Sequence, residues 1–200
     1  MKKPDKPALL NNIRNITVSG RIGAGKTTLA ENLAKTLGWD ELDGGGIIRT
    51  ISKEMGLNII ESNKRPDEVD LALENKIKKI LTQEKNHVVQ SHLAGFDAQG
   101  IEGVYKILLV CSNNKGVDKR SLRIDRLMNR EGMSSEEARM EVLEREEQNL
   151  IKYRRLYANN DPDWVYWDEK YYDLVVNTYA LNQAETLKFV LRHIGYIQDR

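Results

Sequence analysis

The chain has 200 residues, of which 40% are hydrophobic and 30% are charged, and its formal net charge is +1. This length suits one sizeable soluble domain, and the near-zero charge excludes a strongly basic surface for nucleic acid or an anionic membrane. The single cysteine, Cys111, excludes an intramolecular disulfide, and no apolar run approaches the roughly 18 residues of a membrane span. We therefore expect a cytoplasmic protein without nucleic-acid or membrane partners, as a monomer or a weak homodimer.

Strand-like and helix-like segments alternate along the chain. The polar, proline-containing segment 1–13 is expected to be a loose tail ahead of the first strand. β-Branched and apolar runs predict strands at residues 14–19, 87–90, 104–111 and 173–178. Apolar residues at helical spacing predict helices at residues 26–37, 47–55, 67–83, 118–130, 134–157 and 182–194. This order predicts a three-layer α/β fold, in which helices cover both faces of a parallel sheet. We expect a five-stranded sheet, with one strand more than these four runs identify.

A glycine-rich loop separates the first predicted strand from the first predicted helix. Its sequence, GRIGAGKT at residues 20–27, fits the P-loop pattern G-x-x-x-x-G-K-[ST] in full. Glycines let main-chain N–H groups approach phosphate oxygens closely, the lysine can reach the terminal phosphates, and the threonine can bind Mg²⁺. We therefore predict ATP and Mg²⁺ as cofactors, with Thr27 as the metal ligand. The predicted ATP-binding residues are Gly20, Arg21, Ile22, Gly23, Ala24, Gly25, Lys26, Thr27 and Thr28.

P-loops also occur in GTPase switches and motor ATPases, so the rest of the chain must distinguish these classes. A guanine-reading Asn-Lys-x-Asp motif is only approximated at residues 114–118, where the aspartate falls one residue late. Motor ATPases usually have a strand that ends in Asp or Asp-Glu, whereas the candidate strands here end in Gln90 and Cys111. Both differences favour a kinase over a switch or a motor.

Basic residues in the second half of the chain also favour a kinase. Four arginines recur every three or four residues, which places them on one face of a predicted helix: Arg120, Arg123, Arg126 and Arg130. Such a set could neutralise a phosphoryl group during transfer, because the charge of that group spreads over three oxygens. The predicted catalytic residues are therefore Lys26, Arg123, Arg126 and Arg130.

The same region resembles the lid and the following helix of the short cytidylate kinases, a form of P-loop nucleoside monophosphate kinase typical of archaea. The similar stretch is LRIDRLMNREGMSSEEARMEVLEREEQNLIKYRRLY. The stretches YDLVVNT, LAG and GGIIR also match, so the resemblance covers residues 14–194. It implies the P-loop NTPase fold in a single kinase domain at residues 14–200, with a helical acceptor-binding insertion at about 44–85 and a short lid at about 115–132. It also implies transfer of a phosphoryl group from ATP to CMP or dCMP.

The resemblance extends to residues that would bind the acceptor. Arg49, at the end of GGIIR, falls where the family keeps an arginine for the acceptor's phosphate. Arg145 lies on the helix after the lid, and Asp70 is a candidate contact to the acceptor base. His92 stands where the family has an arginine that helps to grip the acceptor. The predicted substrate-binding residues are therefore Arg49, Asp70, His92 and Arg145.

The sequence departs from the family pattern mainly on the acceptor side. Gly46 stands where the family usually has the aspartate of a Gly-Asp pair, and Gln90-Ser91-His92 stands where it usually has Glu-Gly-Arg. Histidine is shorter than arginine and is largely neutral at pH 7. Two alternatives to a CMP kinase therefore stay open. One is a kinase for another nucleotide or a small hydroxyl compound, with Asp43 as the candidate base, and the other is a nucleotide-binding regulatory protein with weak or lost kinase activity.

Overall fold

The computed structural model describes residues 6–58 and 62–196. Within them, five strands form one sheet: β1 Asn15–Gly20, β2 Asp40–Asp43, β3 His87–Gln90, β4 Val104–Val110 and β5 Leu174–Asn177. Every neighbouring pair is parallel, and the strand order is β2-β3-β1-β4-β5. The predicted α/β fold with a five-stranded parallel sheet is therefore confirmed.

Helices connect these strands. They are α1 Lys26–Leu37, α2 Gly44–Glu54, α3 Asp67–Gln83, α4 Ala94–Asp97, α5 Arg120–Glu131, α6 Ser135–Met140, α7 Glu146–Tyr157 and α8 Gln183–His193. Short 3₁₀ helices lie at Ser62–Lys64 and Glu169–Tyr171, and a π-helical segment at Glu141–Arg145 joins α6 to α7. In the part of the chain that the structure describes, no helix combines the length and the apolar composition needed to cross a membrane.

Apolar side chains cover both faces of the sheet. One cluster joins β1 and β4 to α1 and α8, and it fully buries Ile16, Leu33, Leu109 and Val190. A second cluster packs α3 and α4 against the sheet through residues such as Ile77. Full burial of one such side chain stabilises the fold by roughly 1.5–3 kcal/mol. The central strand β1 is thus fixed from both faces, and so is the position at which the P-loop begins.

Parallel pairing brings the carboxyl ends of neighbouring strands to one edge of the sheet. Asp43 at the end of β2 is in register with Gln90 at the end of β3. Gln90 is in turn in register with Val18 of β1, just before the P-loop. Ligands of open α/β sheets bind beyond these carboxyl ends. The fold therefore collects the ends of β1, β2 and β3 around one candidate site.

The element boundaries differ most from the sequence prediction at three places. The sequence DELD at β2 is polar, so no strand is predicted there. β2 lies at the edge of the sheet, where its residues are exposed or half-buried and polar side chains are tolerated. Helix α2 begins at Gly44 rather than at residue 47, since the three glycines adopt helical conformation. The helix predicted over residues 134–157 contains the π-helical segment, which widens its middle turn.

The N-terminal segment is packed against the domain where the structure describes it, which corrects the expected loose tail. Ala8, Leu10 and Ile13 contact the larger apolar cluster. The Ala8 N–H donates to Leu37 O at 2.7 Å, and Trp39 Nε1–H donates to Ala8 O at 2.9 Å. Parts of three predicted segments lie outside the described residues: 1–5 of the tail, 59–61 of the insertion and 197–200 of the kinase domain.

Candidate active site

The loop between β1 and α1 has a backbone that glycine adopts more easily than other residues. Gly23 and Gly25 have φ angles of 75° and 105°, where a side chain would be strained. A Cβ on Gly23 would also lie 2.5 Å from Arg123 O. Gly25 is the N-cap of α1. Because it has no side chain, no capping group occupies the first N–H groups of the helix. These N–H groups and the positive end of the helix can therefore bind phosphate.

Lys26 is the first residue of α1, and its side chain folds back over the loop. Its Nζ donates to Gly20 O at 2.8 Å and to Arg21 O at 3.1 Å. Burial lowers the pKa of Lys26 to about 7, while the carboxylate of Glu146 acts in the opposite direction. A bound phosphate would favour the ammonium form, because a nearby anion raises the pKa of a lysine. Lys26 is thus placed to neutralise phosphate oxygens.

A buried carboxylate supports the loop from behind. Glu146, at the start of α7, accepts hydrogen bonds from the main-chain N–H of Ile22 (3.1 Å), from Arg21 Nε (2.9 Å) and from Arg123 Nη1 (2.7 Å). The sequence prediction did not include Glu146 in the site, although it lies in the EREE part of the family-like stretch. A buried charge of this kind is stable only while its partners remain. Glu146 therefore couples α7 to the conformation of the loop.

Arg123, a member of the predicted catalytic set, lies behind the loop in this structure. Its side chain is fully buried and donates to Ile22 O (2.7 Å), to Asp118 Oδ2 (2.8 Å) and to Glu146. These partners hold the guanidinium beneath the loop, between α5 and α7. Helical spacing could not reveal this, because it does not separate the buried from the exposed members of an arginine series.

Arg21 lies on the outer side of the same loop. Its guanidinium carbon sits 4.5 Å from the centre of the Trp167 ring, and its Nη1 lies 3.3 Å from Asp118 Oδ2. A cation over an aromatic ring is attracted by the ring's negative face. Arg21 therefore joins the loop to the aromatic segment between α7 and β5, a contact that the sequence did not indicate.

A cavity of about 530 Å³, which we call the large cavity, opens between the loop, α5 and the start of α8. Its lining includes Gly23, Ala24, Gly25, Thr28, Arg126, Arg130, Thr178 and Asn182. Arg126 is fixed in its wall, because Nη1 donates to Thr178 Oγ1 at 2.8 Å and Nη2 to Thr178 O at 2.5 Å. The volume is that of a typical small-molecule site.

A second cavity, of about 70 Å³, lies between the loop and the ends of β2 and β3; we call it the central cavity. It brings together nine of the predicted site residues: Ile22, Gly23, Gly25, Lys26, Thr27, Arg49, His92, Arg130 and Arg145. Three of its arginines form ion pairs, namely Arg49 with Asp43 at 3.5 Å, Arg130 with Glu131, and Arg145 with Glu141. Several cations beside a phosphate-binding loop favour a multiply charged anion.

His92 lines the central cavity beside the aromatic segment. Its Nδ1 is 3.3 Å from Gly20 O and 3.3 Å from the hydroxyl oxygen of Tyr166. Burial, with the charge of Lys26, holds the pKa of His92 well below its usual range. The ring is therefore neutral at pH 7. His92 supplies neither the charge nor the forked geometry of the family arginine.

Asp70, the predicted contact to an acceptor base, is held by two basic side chains and lines a small cavity. Its carboxylate is buried between Arg65 Nη2 (2.6 Å) and Lys152 Nζ (2.6 Å). Glu74, one turn later on α3, lines the same small cavity between α2, α3 and α7, which we call the α3 pocket. It accepts a hydrogen bond from the Tyr157 hydroxyl, and burial raises the pKa of Glu74 to about 8. A protonated carboxyl both donates and accepts, so Glu74 joins Asp70 in this pocket as a candidate contact.

The loop, the cavities and the lid region all fall within one stretch of similarity to known proteins. The model of the cytidylate kinase-like family matches residues 15–180. The chain belongs to this family. It is 35% identical over 170 residues to the cytidylate kinase of Natronomonas pharaonis, covering 84% of this chain and 82% of that one. It is 34% identical over 182 residues to the cytidylate kinase of Haloarcula marismortui, covering 90% and 88%.

Membership in the cytidylate kinase-like family confirms the predicted enzyme class, a nucleoside monophosphate kinase. A solved structure extends the likeness to the fold. The gluconokinase from Sinorhizobium meliloti matches with a TM-score of 0.54 at 18% identity, covering 91% of each chain. At that identity the likeness concerns the fold alone, and it agrees with the P-loop kinase architecture of this cytidylate kinase-like chain.

Proposed function

We propose that this cytidylate kinase-like protein transfers the γ-phosphoryl group of ATP, with Mg²⁺, to CMP or dCMP, giving ADP and the nucleoside diphosphate. The observation that carries the proposal is a complete P-loop whose Lys26 and Thr27 line one cavity with Arg49 and Arg145. The acceptor is inferred from the relatives named cytidylate kinase, which match 84% and 90% of the chain.

The large cavity is the proposed site for the nucleoside part of ATP. It adjoins Gly25 and Thr28 at the start of α1, so the phosphates of a nucleotide bound there would reach the loop. Arg130 lines both the large and the central cavity. It is therefore the lid arginine we propose for the γ-phosphate, with Arg126 as part of the cavity wall.

The residues at the end of β3 fit a magnesium ion. Thr27 Oγ1 lies 3.5 Å from Gln90 Oε1. The buried Asp43 Oδ1, a carboxylate oxygen that lines the same cavity, lacks a hydrogen-bond partner in the described part of the chain. Mg²⁺ prefers oxygen ligands and usually combines one or two protein groups with substrate phosphates. When bound, it would neutralise charge on the β- and γ-phosphates.

The acceptor needs positioning rather than a general base. A phosphate monoester has a second pKa near ~6, so it is largely ionised at pH 7. We propose that Arg49, from α2, and Arg145, from the π-helical segment, bind the acceptor's phosphate. Lys26 and Arg130 would then stabilise the phosphoryl group during transfer. In this scheme the arginines exchange their carboxylate partners for phosphate oxygens.

The α3 pocket is the proposed site for the acceptor base. It shares Gly45, His92 and Arg145 with the central cavity, so a base held there would present its phosphate to the transfer site. A protonated Glu74 matches the cytosine edge, which offers one acceptor beside one donor. The pocket has a volume of only about 30 Å³, so acceptor binding requires it to open, as kinase acceptor sites do on closure and release.

A second candidate is a kinase for a small hydroxyl compound. It is favoured by the neutral His92 in place of an arginine and by Asp43 in the lining of the central cavity. A hydroxyl, unlike a phosphate, must lose a proton during transfer, and a carboxylate beside it would accept that proton. The third alternative, a regulatory protein, would bind ATP without transferring its phosphoryl group.

The test is ADP formation from ATP and Mg²⁺ against a panel of nucleoside monophosphates and unphosphorylated metabolites. Stimulation by CMP or dCMP above other acceptors supports the proposal. Stimulation only by a hydroxyl compound selects the second candidate. ATP binding without acceptor-stimulated ADP formation selects the regulatory protein.

Replacement of the P-loop lysine tests the catalytic assignment. Lys26→Ala should lower the rate of ADP formation by about 10²–10³-fold, because the transferring phosphoryl group loses a preorganised charge. The matched control is Lys35→Ala, an exposed lysine later on the same helix, which should leave the rate unchanged. Equal rates for Lys26→Ala and the wild type would remove Lys26 from the catalytic set.

A further inference from the structure

Asp43 occupies a helix-capping position without capping the helix. It is the N-cap residue of α2, yet its side chain makes no capping hydrogen bond, although aspartate is among the preferred capping residues. Its Oδ2 lies 3.5 Å from Arg49 Nη2. Its Oδ1 is buried and lacks a hydrogen-bond partner within residues 6–58 and 62–196. Local helix geometry therefore does not explain this residue.

The Asp43 carboxylate fills the space beside Gly46. A Cβ built on Gly46 would lie 2.3 Å from Asp43 Oδ2 and 3.0 Å from Asp43 Cγ, so a side chain at position 46 would collide with it. The Asp43 carboxylate therefore occupies the space that a side chain at position 46 would need.

The strand register puts this carboxylate in the part of the central cavity that contains Thr27, the proposed magnesium ligand. Asp43 is in register with Gln90, and both line the cavity with Lys26 and Thr27. Gln90 is 2% exposed, its Oε1 faces Thr27 Oγ1 at 3.5 Å, and its Nε2 has no hydrogen-bond partner among the described residues. Gln90 is neutral, so Asp43 supplies the negative charge at the ends of these two strands.

The other carboxylates that line the central cavity are paired with arginines in the unliganded structure. Glu131 forms an ion pair with Arg130, and Glu141 accepts a hydrogen bond from Arg145. Asp43 has a longer ion-pair contact through Oδ2 and keeps Oδ1 without a hydrogen bond in the described structure. Mg²⁺ retains several water molecules when it binds a nucleotide, and these are oriented by carboxylate oxygens. Asp43 Oδ1 is the group in the lining best suited to that task.

We propose that Asp43 orients the water shell of the Mg²⁺ ion that accompanies ATP. The inference rests on the proposed function, in that Mg²⁺–ATP binds at the P-loop. Thr27 Oγ1 would be the direct protein ligand, and the carboxylate would act through metal-bound water. Asp43 is then a positioning residue for the metal rather than a base for a hydroxyl acceptor.

The test measures metal affinity apart from turnover. Mn²⁺ replaces Mg²⁺, and its binding to the protein saturated with ADP is followed by electron paramagnetic resonance. Asp43→Asn should weaken Mn²⁺ binding by about 10-fold or more, as loss of an outer-shell carboxylate typically does. Metal-free ADP should bind to the variant as tightly as to the wild type or more tightly, because a negative charge has been removed. Asp40→Asn, with the same charge change at the start of β2, should have wild-type Mn²⁺ affinity.

A rescue variant keeps the proposal testable if Asp43→Asn is unstable. The double variant Asp43→Ser with Gly46→Asp moves the carboxylate to position 46 and leaves serine, a good N-cap residue, at position 43. It should recover Mn²⁺ affinity to within a few-fold of the wild type. Wild-type Mn²⁺ affinity in Asp43→Asn overturns the proposal, whether or not turnover is lost. Absence of nucleotide binding by the wild-type protein would instead overturn the proposed function itself.

Discussion

At the scale of single residues, burial decides which cations are available to a nucleotide. Arg123 and Lys26 both approach the P-loop, but Arg123 is enclosed by Glu146, Asp118 and a main-chain carbonyl. Lys26 donates hydrogen bonds to the carbonyl oxygens of Gly20 and Arg21, and burial lowers its pKa to about 7. Arg123 therefore supports the conformation of the loop. Lys26 is the cation whose ammonium form a bound phosphate would stabilise most.

Removal of the buried charge behind the loop should destabilise the fold. Glu146→Gln leaves Arg123 without its principal carboxylate partner in a buried site, which should lower the free energy of unfolding by about 3 kcal/mol. Denaturant unfolding measures this difference. The control is Glu147→Gln, an exposed neighbour on α7, for which we expect a change below about 0.5 kcal/mol. Equal stability of the two variants would show that the pairing around Glu146 contributes little.

Nucleotide binding should take up a proton above pH 7. The pKa of Lys26 is about 7 in the unliganded protein, and bound phosphates raise it, so the complex holds more protons than the free protein at pH 8. Affinity for ATP should then fall by up to about 10-fold per pH unit above pH 7. Calorimetry at pH 8 in buffers of different ionisation enthalpy measures the uptake. An enthalpy that is the same in all buffers would contradict it, and Lys26→Ala should show no uptake at this site.

At the scale of elements, the interface between α3 and α7 concentrates buried polar groups. Asp70 meets Lys152 there, and Glu74 meets the Tyr157 hydroxyl. The π-helical segment just before α7 carries Glu141 and Arg145 into the central cavity. A widened helical turn of this kind often occurs at functional sites. The buried polar pairs and the π-helical turn depend on contacts between distant segments. The spacing of apolar residues along the sequence therefore does not predict them.

The Glu74 carboxyl should make stability depend on pH. Burial raises its pKa from 4.5 to about 8, so the folded protein binds a proton that the unfolded chain releases. The stabilisation is complete below about pH 4.5 and is lost as the pH rises through 8. Glu74→Gln mimics the protonated form, so its melting temperature should fall less between pH 6 and pH 9 than that of the wild type. Glu68→Gln, exposed on the same helix, should keep the wild-type slope; identical slopes for all three proteins would contradict this assignment.

At the scale of the whole molecule, bound nucleotide should stabilise the fold as a unit. The P-loop joins β1 to α1 and is tied to α5 and α7 through Arg123 and Glu146. ATP with Mg²⁺ at 100 times its Kd should raise the free energy of unfolding by about 2.7 kcal/mol. For a chain of this size the melting temperature should rise by roughly 5–10 °C. Lys26→Ala should show a smaller rise, and an unchanged wild-type melting temperature would contradict nucleotide binding.

The sequence predicted the sheet, most helices and the P-loop because these depend on local pattern. α1, α3 and β3 have the predicted boundaries, since apolar spacing and glycine or proline breaks determine them. It could not predict β2, whose polar residues reflect its edge position. It assigned Arg123 and Asp70 to ligands but could not show that both are buried among partners from distant segments, because such partners are not visible in spacing. The Glu146 and Glu74 contacts are missed for the same reason.

The polar edge strand has a consequence for how copies of this molecule meet. β2 consists of Asp40, Glu41, Leu42 and Asp43, and one of its sides lacks a neighbouring strand in the described sheet. A second copy that tried to extend the sheet there would bring like charges face to face, which opposes pairing. The negative charges of β2 should therefore repel the same strand of a second copy. We expect any self-association of this enzyme to use another surface.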